Sequence, residues 1–266
     1  MRFSNRLVAV GLALLAGVLF FSSSGRAAGL ENAAALNKAG NLHLLAERIA
    51  RNYALVGQDV LAEKSRRQLT TAIGQFDKQL KEMQAYAPTP EIKENYALLE
   101  QLWETYRAAV QMPPERAKVK ELSEFNEEVV WIAQKGAQLV EAHAKLPTSR
   151  LINLASEQRT LSQRMAKLYL FRSWGLGSKV LDDDLRTART SFVEGLRQLG
   201  IAPQNTDAVR NELKLAEQQW YFFDQAIKAK NNELSEKTRN TNVATTSDRM
   251  LEVMDRVASL YESMKL

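Results

Sequence analysis

The feature that most constrains this chain is a stretch that occurs twice. Asn37 to Tyr53 returns 116 residues later as Asn153 to Tyr169, with Asn37/Asn153, Ala39/Ala155, Leu45/Leu161, Arg48/Arg164, Ala50/Ala166 and Tyr53/Tyr169 in register. The register continues through Leu69/Leu185, Ala72/Ala188, Phe76/Phe192 and Leu80/Leu196, shifts by one residue for Thr89/Thr206 and Trp103/Trp220, and reappears after an insertion at Ala137/Ala258, Leu139/Leu260 and Glu141/Glu262. A unit of this length is too long for a solenoid repeat and suits a whole small domain. The sequence therefore predicts two copies, residues 29–147 and 148–266.

Residues 1–28 stand outside the repeat. Arg2 and Arg6 precede an apolar run from Leu7 to Phe21, followed by the small residues of Ser22 to Ala28. That pattern reads as a secretory signal, and it predicts a periplasmic protein. An uncleaved anchor over residues 7–21 is the alternative, although a membrane span usually needs about 20 apolar residues. Without Arg2, Arg6 and Arg26 the 36 basic residues fall to 33 against 31 acidic ones, too even a balance for a nucleic-acid or polybasic membrane surface. No nucleic-acid partner is expected. There is no cysteine, so an exported fold must rest on its core, without disulfides.

Apolar residues after the signal recur at helical spacing, and no segment alternates like a strand. Leu42, Leu45, Ile49 and Val56 form one such stripe, and Leu154, Leu161, Met165 and Leu168 its counterpart. Caps and prolines divide the chain into helices over 30–57, 62–86, 90–112, 115–146, 149–175, 181–200, 206–231 and 234–265. Thr89-Pro90 and Thr206 begin helices, Pro113-Pro114 and Gly175 end them, and Pro147-Thr148-Ser149 separates the copies. The final helix is the least regular, because Thr238 to Asp248 is rich in poor helix formers. Trp103, Tyr106, Trp220 and Phe223 read as core on the third helix of each copy, and Leu122, Val129, Ile132 and Leu139 as the stripe of helix four. The expected fold is all-α: two tandem up-down-up-down four-helix bundles, able to pack as an intramolecular pseudo-dimer or to oligomerise through the motif helices.

At the repeated stretch the sequence resembles a known family. Asn37 to Leu42 with Arg48, and Asn153 to Ala155 with Arg159 and Leu161 to Lys167, are similar to the periplasmic sensor domain shared by nitrate/nitrite sensor kinases of the NarX type and PilJ-type chemotaxis transducers of type IV pili. The resemblance implies a four-helix bundle with the motif on its first helix at a dimer interface. It also implies a nitrate site made by an arginine from each motif helix near a glycine. The arginine position is Arg159 in the second copy and His43 in the first; the glycine position is Gly40 in the first and Ser156 in the second. Arg48 and Arg164 lie beside these positions. Paired within the chain, His43 and Arg159 would face each other, and the site would bind an anion weakly and with a pH dependence.

The polar pairs have a plainer reading. His43 with Glu47 and Arg159 with Gln163 are one turn apart and can be solvated or interface pairs, and Arg48 and Arg164 can pair with acids on neighbouring helices. No Glu-x-x-His, zinc set, Gly-x-Ser-x-Gly or phosphate loop occurs, so neither catalysis nor a cofactor or metal is expected. Two functions follow. One is a periplasmic sensory or ligand-binding protein for a small anion such as nitrate or nitrite, without its own output domain and working through a membrane receptor. The other is a structural or interaction module of the envelope or pilus that has lost the ligand.

Overall fold

The computed structural model describes residues 23–145, 149–229 and 234–264. Apart from the start of the first helix, the signal segment with its apolar run 7–21 lies outside them, as do Pro147 and Thr148. Among the described residues every regular element is helical: α1 (Ser23–Gly57), α2 (Ala62–Tyr86), α3 (Pro90–Gln111), α4 (Val119–Ala144), α5 (Ser149–Ser173), α6 (Lys179–Gly200), α7 (Asp207–Lys228) and α8 (Glu236–Ser263), with one 3-10 turn at Arg116–Lys118. No described helix is long and apolar enough to cross a membrane.

Local chemistry sets the ends. The Thr89, Ser178, Thr206 and Ser235 hydroxyls accept the backbone N–H three residues on, at 3.3, 3.1, 3.3 and 3.1 Å, and start α3, α6, α7 and α8. After Pro113-Pro114 the chain makes the 3-10 turn before α4 begins, a little later than the periodicity predicts. Gly175, at φ 103°, ends the α5 segment in the left-handed conformation that glycine tolerates.

α1 packs on α2 and α4, and α3 on α4; α5 packs on α6 and α8, and α7 on α8. Among the described helices the most extensive packing joins α1 to α5. Repeated aromatic positions make repeated contacts. Phe76 stacks on Trp103 at 4.0 Å and Phe192 on Trp220 at 4.7 Å, with Tyr106 and Phe223 edge-on to those indoles at 5.9 and 6.2 Å. Trp103, Tyr106 and Phe223 are buried as expected, together with Leu122, Val129 and Ile132 of α4.

Candidate functional site

The two motif helices meet where their side chains are smallest. A Cβ on Gly40 would lie 2.7 Å from Ser156 Cβ, so only glycine permits this approach of α1 to α5. Both helices are buried around most of their circumference, polar residues included: Glu47, Arg51, Gln158, Ser162, Gln163 and Lys167 are inaccessible. α4 closes the α1–α5 seam on one side and α8 on the other.

On the α4 side the buried charges balance. Arg164 bonds Glu47 at 2.8 Å and Glu127 at 2.9 Å, and Lys167 reaches Glu47 at 2.6 Å, Glu127 at 2.7 Å and Asn126 Oδ1 at 2.7 Å. Two cations face two carboxylates, and Asp184 lies 3.8 Å from Arg164 at the rim. Burial alone would push Glu127 up, but Lys167 and Arg164 hold it down at about 2.

The α8 side carries the repeat counterparts of these groups with different charges. Arg51 stands at the position of Lys167, Arg48 at that of Arg164, Gln163 at that of Glu47 and Asp248 at that of Glu127. Arg51 contacts Asp248 at 3.0 Å and donates to Ala244 O at 2.7 Å; Gln163 donates to Ser247 O at 3.1 Å. Lys64 latches α2 to Asp248 at 2.8 Å. Arg48 has no carboxylate within ion-pair distance among the described residues, and its Nε is buried without a partner. The expectation that both Arg48 and Arg164 pair with acids holds for Arg164 only.

His43 and Arg159 do not meet. Arg159 turns toward α8, donating to Asp255 at 2.9 Å, Asn37 Oδ1 at 2.8 Å and Ser156 Oγ at 2.9 Å. His43 turns toward α4 and lines a cavity of about 100 Å³ with Gly40, Gln134, Asn153, Ser156 and Glu157. Burial, opposed by Glu47 and assisted by Arg164 and Lys167, lowers the imidazole to about 4, so it is neutral near pH 7. The reason they part is positional: equivalent residues on the two helices lie on opposite flanks of the Gly40–Ser156 contact. The guanidinium proposed to hold an anion is already neutralised by Asp255.

Residues 28–125 match the sequence model of the family described as PilJ, type IV pili methyl-accepting chemotaxis transducer N-term. The match covers a little over a third of the chain, from α1 into α4, and includes the first motif helix with Gly40, His43, Glu47 and Arg48. No curated protein and no solved structure matches the chain.

Sequence reasoning picked out the arginines and overlooked the groups that decide their charge. Lys167 and Glu157 lie within the repeated stretch but were not singled out, and Glu127, Asp248 and Asp255 carry no motif of their own. Carrying the 121-residue offset of Ala137/Ala258 back along helix four pairs Glu127 with Asp248 and Gln134 with Asp255, which is the signal that finds the three acids.

Proposed function

We propose that the chain is a periplasmic sensory module of the type IV pili chemotaxis transducer kind, without catalytic activity, in which two four-helix bundles pair through α1 and α5. The observation that carries this reading is the conjunction of the family match over residues 28–125 with the packing of its motif helix against the motif's second occurrence. A bundle whose first helix forms a seam can report a ligand by small shifts of that helix. A nitrate or nitrite ion, the ligand class the resemblance suggests, has Arg48 left to it among Arg48, Arg159 and Arg164.

A second reading is an interaction module. Tyr221 and Phe222 on α7 are 62% and 55% exposed and contact each other edge-on, an aromatic pair suited to a protein partner in the envelope.

One experiment separates the two. The chain is screened by thermal shift against small anions, cations and neutral polar compounds, nitrate and nitrite included, in parallel with Arg48→Ala. In cells, Tyr221 is replaced by a photo-crosslinking amino acid. The sensory reading expects a saturable stabilisation by at least one compound; a nitrate shift lost in Arg48→Ala would place the anion there. No stabilisation by any compound, with a single envelope protein crosslinked at position 221, would replace it with the interaction reading.

A further inference from the structure

The two flanks of the seam can be compared position by position, because the repeat aligns them. On the α8 flank a guanidinium fills the space beside the Gly40–Ser156 contact, held by Asp255, Asn37 and Ser156. On the α4 flank the same positions read His43 for Arg159, Gln134 for Asp255, Asn153 for Asn37 and Gly40 for Ser156. Neutral residues stand at both positions of the ion pair on this flank, and a cavity of about 100 Å³ lies beside the shorter imidazole. That is room for several waters or for one planar head group.

The cavity also contains a charge with no partner. Glu157 lines it and makes no ion pair within the described chain. Burial, and then the nearby Glu141 carboxylate, push Glu157 up from the ordinary carboxylate range, so the group is short of positive charge. Arg164 and Lys167 are committed to Glu47 and Glu127, and no lysine or arginine lines the inner cavity.

The cavity shares His43, Gln134, Glu157 and Thr160 with an outer groove of about 330 Å³ between α4 and α6. Val130, Trp131 and Leu161 give the groove an apolar wall, and Asp184 adds a third carboxylate to those of Glu127 and Glu157. Trp131 is 62% exposed, and its ring already draws the Lys135 ammonium to 5.8 Å. The opposite flank is bridged instead, by Lys64 and Gln68 to Asp248.

We propose that this α4-side cleft binds a small organic cation with a flat nitrogen head and an aromatic body, the head in the inner cavity against Glu157 and the body in the outer groove against Trp131. The proposal rests on the sensory reading and gives it a ligand class. The head replaces in the first half what Arg159 supplies covalently in the second. An anionic head in the inner cavity would meet Glu157 with no lysine or arginine in the lining.

Three compounds of one shape test it by calorimetry on the full chain: benzamidine (cation), benzamide (neutral) and benzoate (anion). Benzamidine alone is expected to bind saturably, one per chain. Glu157→Gln should weaken it by about 10-fold or more, as loss of one partner of a desolvated charge pair does, and Trp131→Ala by roughly threefold. The double variant His43→Arg with Gln134→Asp rebuilds the α8-side arrangement and should abolish binding; circular dichroism confirms its fold, and Glu157→Gln decides the matter if that variant is misfolded. Benzamidine binding unaffected by Glu157→Gln, benzoate binding in its place, or no binding by any of the three would each overturn the proposal. Stabilisation by other compounds in the thermal-shift screen would then leave the sensory reading standing.

Discussion

Lys167 and Glu47 form the least accessible charge pair of the seam, at 2.6 Å with both side chains at 0% exposure. Lys167→Met leaves Glu47 with only Arg164 and should cost about 3–5 kcal/mol, read from urea denaturation. The double variant Glu47→Gln/Lys167→Met should lose less, because Gln163 already occupies the matching position on the other flank; a loss below about 1 kcal/mol in the single variant would mean the pair is hydrated in solution. His43 makes a separate, pH-dependent contribution. Its imidazole ordinarily takes a proton near 6.5 and here does so at about 4, facing Glu47 and Glu127 as well as Arg164 and Lys167. The unfolded chain therefore binds the proton first, and stability is complete above pH 6.5 and falls as pH drops toward 4, by at most roughly 3 kcal/mol. Glu127 has the same sign in a lower window, from the ordinary 4.5 to about 2. His43→Gln should flatten the urea midpoint between pH 7 and pH 4.5, and an unchanged slope would show that the imidazole is not held neutral.

At the scale of the element, the helix boundaries were legible because short polar residues and prolines mark them: Thr89, Thr206 and Pro113-Pro114 lie at observed ends. Thr206→Ala removes the acceptor for Val209 N–H and should cost about 1 kcal/mol in thermal or urea unfolding. The poor helix formers of α8 obscured its regularity. Thr241, Thr245 and Thr246 return their hydroxyls to carbonyls four residues back, while Asn240, Ala244, Ser247 and Asp248 face the core, where Arg51 and Gln163 use the Ala244 and Ser247 carbonyls. The pairing of α1 and α5 was expected from the resemblance, but periodicity alone left open whether polar residues such as Glu47 lie in solvent or in an interface. A salt-bridged interior has the same sequence pattern as a solvated one. The close approach at Gly40 gives a sharp test. Gly40→Ala gains up to about 1 kcal/mol of helix propensity but drives a methyl to 2.7 Å from Ser156, so a net loss of about 1–2 kcal/mol is expected. Ser156→Gly in the same chain should recover much of it, and additivity of the two changes would deny the contact.

For the whole molecule, the repeat led to the expectation that aligned positions make like contacts, and Phe76 stacks on Trp103 as Phe192 does on Trp220. It could not foretell which flank of the seam each motif residue enters, because that depends on the geometry of the crossing. A seam joined within one polypeptide does not dissociate on dilution. The thermal midpoint should accordingly stay constant across a hundredfold range of protein concentration, with light scattering giving the mass of one chain; a midpoint that climbs with concentration would move the pairing between molecules. The Gly40–Ser156 crossing has a consequence for descent as well. In an assembly of identical subunits, any mutation at an axis appears on both sides at once, and a change that helps one side must be tolerated by the other. Here α1 and α5 are separate stretches of one chain, so a change at the crossing touches one flank alone, and the two flanks can differ as Arg159 differs from His43.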